Sequence, residues 1–363
     1  MERFYMPTAV FEGRGCVLDM DEFWVSMGRR ALIVTGKTSG YKSGALEDVC
    51  DVLDKNGICY CIFDSVKNNP TVENAYEAGL LAREFSADFV VGIGGGSPLD
   101  AAKAAAVYGS NPELEPYEIY DGAEDNPLPV VEIPTTAGTG SEVTQYSVLT
   151  VESRKTKVTV KGDWLFPKAA FLDPRYTKSL PPNVALHTAL DAMSHAVESV
   201  LKRNNSYISE PIALGALEII GRNLPELQNF PCDDDVRAEL LHAAMLAGMA
   251  IAHTGTTIVH SMGYVFTYFK DMPHGMANGV LLPKFVEFAE KAVPEQTEKI
   301  YKALGISSSD EFACMIRNTG LEHPVVSEDE AVEFAKIAIT NKNVPTAPWK
   351  VTAEEEAEIM LWR

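Results

Sequence analysis

The chain is predicted to fold as an α/β domain on a parallel sheet followed by an all-α domain. Three observations predict this. Short apolar runs alternate with helical patterns as far as about residue 174. From Pro181 onward the apolar spacing is almost exclusively helical. Within the first half, a glycine-rich turn leads directly from a strand into a helix. The boundary is therefore placed at residue 180, giving domains 1–180 and 181–363.

In chain order, the run Ala31-Leu32-Ile33-Val34-Thr35 ends at Gly36 and reads as a strand buried on both faces. Residues 43–55 carry Leu46, Val49, Cys50 and Leu53 at helical spacing and stop at Asn56-Gly57, a helix-ending signal. Residues 58–63 form the next strand, and 72–85 the next helix, entered through Asn69-Pro70-Thr71. A strand over 88–93, a helix over 101–107 and a strand over 129–133 follow, and Phe171-Leu172-Asp173-Pro174 reads as a last strand and its exit turn. Alternation at this spacing implies right-handed crossovers in a parallel sheet. In the second half, 211–220, 236–249 and 330–339 are helical. An active site is expected in the cleft between the domains.

Composition narrows the function classes. The chain has 363 residues, enough for two cores, and 46% apolar against 23% charged residues is globular composition. A formal net charge of -20 repels phosphate backbones and anionic lipid, which disfavours nucleic acid and membrane partners. A small anionic cofactor is still compatible, because local backbone amides outweigh the global field. The six cysteines lack a CxxC pair, no long uncharged apolar stretch occurs, and the first residues lack signal-peptide character. The expected location is the reducing cytoplasm.

Two loops follow strands. In the first, Gly92-Ile93-Gly94-Gly95-Gly96-Ser97-Pro98 lets the backbone approach a pyrophosphate at a helix N-terminus. Pro98 suits the first helical position, with Ser97 as its cap or as a phosphate contact. Ser97 stands where the last glycine of a GxGxxG pattern would be. The second loop, residues 134–144, offers Thr135, Thr136, Thr139 and Thr144 among glycines. Each loop alone can be an ordinary turn; the pair, each just after a strand, favours a nucleotide.

The run Leu190-Asp191-Ala192-Met193-Ser194-His195 puts a carboxylate and an imidazole on one helix face, with about 6 Å of rise between them. His260 lies in an apolar stretch where a buried imidazole needs a partner, and His274 sits between Pro273 and Gly275. Taken singly, each of the seven histidines is an ordinary interior or surface residue. Together Asp191, His195, His260 and His274 suit a borderline divalent metal.

These motifs as a set resemble the iron-containing (group III) alcohol dehydrogenase family. GGGSPLDAAKA (94–104), PTTAGTGSEVT (134–144), FLDP (171–174), ALDAMSHAVES (189–199) and HGMANGVLLP (274–283) occur in family order, the likeness fading after about residue 290. The resemblance implies a Rossmann-like parallel-sheet domain plus a helical domain, the fold shared with dehydroquinate synthase. It implies Asp191, His195, His260 and His274 as ligands of Fe2+, sometimes Zn2+. It implies cofactor contacts from Asn69, Gly94, Gly95, Gly96, Ser97, Asp100, Thr135, Thr136, Thr139, Thr144 and Lys157. The implied activity is an NAD(P)-linked alcohol dehydrogenase or aldehyde reductase, acting by direct hydride transfer on small alcohols, diols or aldehydes. A homodimer joined through the segment before residue 12 is also implied.

Three departures from the family pattern stand out. Gly36 replaces the aspartate that excludes a 2′-phosphate, and Lys37, Thr38, Ser39 and Lys42 follow it, so NADP(H) is expected over NAD(H). Tyr264 stands where many relatives carry a proton-transferring histidine, and an ordinary phenol is a poor base near neutrality. His253 stands where relatives have an amide and is the candidate substitute proton carrier. Tyr146, Ile251 and Tyr268 join His253 and Tyr264 as candidate pocket residues. A lyase of the same fold and a nucleotide sensor are the competing readings.

Overall fold

Residues 3–121, 126–154, 156–203, 205–229 and 232–362 are described in a computed structural model of the chain. The chain divides into two compact units, Met6–Leu180 and Pro181–Arg363, and residues 3–5 group with the second.

The first unit runs β1 (Ala9–Glu12), α1 (Asp21–Met27), β2 (Arg30–Gly36), α2 (Ser39–Ser43), α3 (Ala45–Lys55) and β3 (Cys59–Val66). It continues through α4 (Val72–Phe85), β4 (Phe89–Gly94), α5 (Gly96–Ser110), β5 (Val130–Pro134), β6 (Tyr146–Val151), β7 (Thr156–Lys161) and β8 (Ala169–Leu172). Six strands form one parallel sheet in the order β1-β8-β5-β4-β2-β3. Side chains on β2 alternate between its faces, as pleating requires. Ala31 and Ile33 join the core under Trp24, Leu46, Val49 and Leu53, whereas Leu32 and Val34 join the core under Ala78, Ala82, Ala101 and Ala105. Both faces are thus roofed by helices, which is why this strand is an unbroken apolar run.

Three elements differ from expectation. The helix expected over 43–55 starts at Ala45, because Gly44 takes φ 83 and ends a separate short helix, α2, ahead of it. The helix after the glycine turn begins at Gly96 with Gly95 as its N-cap, so Pro98 is its third residue and Ser97 is not a cap. The β6–β7 hairpin is antiparallel and pairs Tyr146 with Lys161. Threonines and lysines interrupt the apolar pattern in these strands.

The second unit is helical: α6 (Pro182–Leu201), α7 (Ser209–Asn223), α8 (Asp234–Thr254), α9 (Ile258–Phe269), α10 (His274–Ala292), α11 (Pro294–Leu304), α12 (Ser309–Asn318), α13 (Glu328–Ala338) and α14 (Ala353–Met360). Residues 189–201 of α6 are all buried, so this helix is central rather than amphipathic. Gly275 makes the closest packing possible: a Cβ there would lie 1.8 Å from the His187 carbonyl oxygen. Among the described residues no helix is long and apolar enough to cross a membrane.

Phe171 on β8 is fully buried, stacked on Trp24 at 5.3 Å and on Phe11 at 4.8 Å, with Phe23 edge-on at 5.4 Å. Phe171→Ala should destabilise the α/β unit by about 3–5 kcal/mol. Urea unfolding followed by tryptophan fluorescence measures it, and a loss below about 1 kcal/mol would contradict this packing.

Candidate metal centre and nucleotide loops

The centre is built on three helices of the second unit. Asp191 and His195 share one face of α6, His260 lies in the first turn of α9, and His274 opens α10. Asp191, His195 and His260 are buried, and His274 is partly exposed. The Asp191 Oδ1 atom lies 3.9 Å from His195 Nε2, 3.8 Å from His260 Nε2 and 3.8 Å from His274 Nε2. Donor atoms of Asp191, His195 and His260 are all within 4.8 Å of one another. A tetrahedral ion with bonds of about 2.1 Å separates neighbouring ligand atoms by about 3.4 Å, so the spacings of Asp191, His195 and His260 fit one cation, with His274 beside that group. Burial would raise the Asp191 carboxyl, but the imidazoles of His195, His274 and His260 outweigh it and hold the group below its ordinary value. The rings are also packed together: His195 stacks on His260 at 4.6 Å, and His260 meets His274 edge-on at 5.3 Å.

Two residues missed in the sequence complete the centre. Glu198, fully buried, accepts hydrogen bonds at Oε1 from Thr257 N at 2.9 Å, Thr257 Oγ1 at 2.7 Å and Val259 N at 2.9 Å. Its Oε2 pairs with His260 Nδ1. Burial opposes the charge, yet His260 and these donors keep the carboxyl below its ordinary value. With Nδ1–H committed to Glu198, His260 presents the lone pair of Nε2 toward Asp191. Asn278, one turn past His274, donates through Nδ2 to Asp191 Oδ1 at 2.9 Å and lies 3.2 Å from His260 Nε2 and 3.3 Å from His274 Nε2. The signal was present: 191, 195 and 198 share one helix face, as do 274 and 278.

Tyr264 and His253 separate. Tyr264 stacks on His274 at 5.3 Å with 14° between the planes, which puts it beside the centre. His253 is engaged elsewhere: Nδ1 is 2.8 Å from Met249 O, Nε2 accepts from Tyr5 N at 3.0 Å, and Phe4 stacks on the ring at 4.1 Å. Both ring nitrogens face backbone groups, and the ring anchors residues 3–5.

In the first unit the two loops come together. A Cβ on Gly96 would lie 2.8 Å from Thr139 Cγ2, so only glycine lets the first loop lie against the second. Thr135 N donates to Gly94 O at 2.8 Å, and Thr135 Oγ1 is buried with no hydrogen-bond partner among the described residues. Gly95 against Thr136 is also a close contact, at 3.2 Å from an added Cβ. Ser97 Oγ accepts from Asn69 N at 3.2 Å, and Asn69 is one of the few non-glycine residues with positive φ. Asp100 accepts from Ser141 Oγ at 2.7 Å and Val148 N at 3.1 Å. Burial pushes its carboxyl up, while Lys103 first and Lys157 more weakly pull it down. Thr144 is turned inward, its hydroxyl on Ser141 O at 3.3 Å. Gly36 ends β2 and Ser39 opens α2. Glycines, an unspent hydroxyl and the N–H groups opening α5 fit the phosphates of a dinucleotide.

Fold and side chains define a class of α/β protein with a parallel sheet, paired glycine-rich loops and a buried carboxylate–imidazole cluster. Residues 7–174 match the family described as iron-containing alcohol dehydrogenase, and 185–361 match the Fe-containing alcohol dehydrogenase family, C-terminal. The chain belongs to the iron-containing alcohol dehydrogenase family. It is 30% identical to an NADPH-dependent butanol dehydrogenase of Clostridium saccharobutylicum, over 85% of this chain and 79% of that one. It is 30% identical to lactaldehyde reductase of Escherichia coli, over 88% and 84%. An iron-containing alcohol dehydrogenase of Thermotoga maritima superposes with a TM-score of 0.92 at 40% identity, over 99% and 98%.

Glu198→Gln keeps the shape of the carboxylate but loses its charge on His260. It should weaken Fe2+ or Zn2+ binding about 10–100-fold, read by chelator competition. Unchanged metal affinity would remove Glu198 from the centre.

Proposed function

We propose that this protein is a metal-dependent aldehyde reductase and alcohol dehydrogenase for small primary alcohols, diols or aldehydes, with NADP(H) preferred. The observation that carries the reading is the approach of three imidazole nitrogens to one carboxylate oxygen at 3.8–3.9 Å. Asp191, His195, His260 and His274 would hold Fe2+, or Zn2+ in its place. Bound there, such an ion supplies Lewis-acid polarisation of a substrate oxygen, and the nicotinamide supplies or accepts hydride.

The chain's own residues do the rest. Glu198 orients His260, and Asn278 holds Asp191. Tyr264, held flat on His274, offers a hydroxyl as hydrogen-bond partner for a substrate oxygen. The loops carrying Gly94, Gly95, Gly96, Ser97, Asp100, Thr135, Thr136 and Thr139, with Asn69, Thr144 and Lys157, are assigned to the cofactor. At the adenosine end, Gly36 brings no carboxylate, and Lys37 and Lys42 are exposed nearby. This favours a 2′-phosphate, as does the NADPH-dependent butanol dehydrogenase among the relatives. Butanal and lactaldehyde are the first substrates to test, from the names of those relatives. A homodimer is supported by β1 at the edge of the sheet, and a cytoplasmic location by six free cysteines.

Protein reconstituted anaerobically with Fe2+ or Zn2+ should oxidise NADPH with short aldehydes. Asp191→Ala and His195→Ala should each lower turnover at least about 100-fold together with bound metal. Full turnover in either variant would sink the reading. Gly36→Asp should move the NADPH-to-NADH affinity ratio toward NADH by at least about tenfold in a fluorescence titration. An unmoved ratio would place cofactor discrimination elsewhere.

A further inference from the structure

A second buried charged cluster lies in the first unit, and the chemistry above does not use it. Lys103 on α5 is fully buried. An ammonium removed from water needs an oxygen for each of its protons. Its Nζ donates to Ser141 O at 2.6 Å, Tyr146 O at 2.9 Å and Thr144 O at 3.0 Å, with Ser141 Oγ also at 2.9 Å. These oxygens come from the end of the second loop and the first residue of β6. Ser141 extends the link at both ends: its N–H donates to Thr139 Oγ1 at 3.3 Å, and its hydroxyl donates to Asp100. Thr139 is the residue that rests on Gly96 of the first loop. One side chain therefore ties the exit of the second loop to the helix that begins in the first.

Glu132 on β5 stands beside this cation. It is fully buried, its Oε2 is 3.8 Å from Lys103 Nζ, and neither oxygen has a hydrogen-bond partner among the described residues. The groups facing it are Lys103 and Asp100 from α5 and Glu142 near the end of the second loop, while the flanking strands β4 and β8 carry no titratable side chain. Burial pushes the Glu132 carboxyl well above its ordinary range and Glu142 up to about 7.

We propose that Lys103 is a positioning residue for the cofactor, fixing the second loop against the first, and that ionisation of Glu132 weakens this hold. An ionised Glu132 competes with the three carbonyls for the ammonium, and it adds negative charge beneath loops meant for an anion. The inference rests on the assignment of these loops to the cofactor. Cofactor affinity should therefore fall as pH rises.

The test is NADPH and NADH titration of the full-length, metal-loaded protein. Wild type is measured first; if it binds neither nucleotide, the loop assignment fails and this inference with it. Lys103→Met paired with Glu132→Gln should raise the cofactor Kd about tenfold or more, with kcat at saturating cofactor within about threefold of wild type. A Kd within twofold of wild type would overturn the proposal. If the pair does not fold, Lys103→Gln carries the Kd test by the same criterion, and Glu132→Gln carries the pH test. Wild-type Kd should rise as pH rises, and the rise should be smaller in Glu132→Gln, with Glu142 accounting for what remains. Superimposable pH profiles would overturn it, since a purely structural glutamate would change the melting temperature and leave the profile alone.

Discussion

A buried carboxylate with imidazoles on three sides is the constraint around which the second unit is organised. Asp191 lies almost wholly out of water, and a bare negative charge there is costly unless cationic or hydrogen-bonding partners surround it. The partners are His195, His260, His274 and the Asn278 amide. To bring them together, α6, α9 and α10 must approach closely, which explains glycine at 275, where the His187 carbonyl leaves no room for a side chain. The buried length of α6 follows from the same demand, because a helix with functional groups at its centre must be covered on every side.

The same logic reaches one step outward to Glu198. An imidazole that is to use one nitrogen as a lone-pair donor must have the other protonated and held. Glu198 meets that need, and its own charge is met by two backbone amides and a hydroxyl in the turn that starts α9. The start of that helix is thereby pinned to α6 by the residues that orient its histidine, so fold and chemistry share one set of hydrogen bonds.

In the first unit the organising charge is of opposite sign. Lys103 replaces lost hydration with three carbonyl oxygens, and in doing so it gives an irregular segment a defined path. Loops this rich in glycine and threonine have little packing of their own to hold them. A buried cation at their base compensates, and the glycines remain free to serve close approach.

Periodicity and local chemistry carried much of this into the sequence. Core strands such as Ala31–Thr35 are legible because both faces are buried, and the helix over 72–85 because Thr71 caps it through Asn74 N. Asp191 with His195 is legible because helical spacing is local. The β6–β7 hairpin was not, since its polar residues mask strand alternation, and the break at Gly44 depends on a backbone angle that no composition reveals. The destination of a long-range partner was also hidden. The reach of Glu198 to residue 260, the grip of Lys103 on residues 141–146, and the diversion of His253 to Phe4 and Tyr5 each join parts of the chain that no periodic pattern connects. Local propensity chooses the elements; which buried polar group meets which is settled only when packing removes water and leaves each one to find a partner.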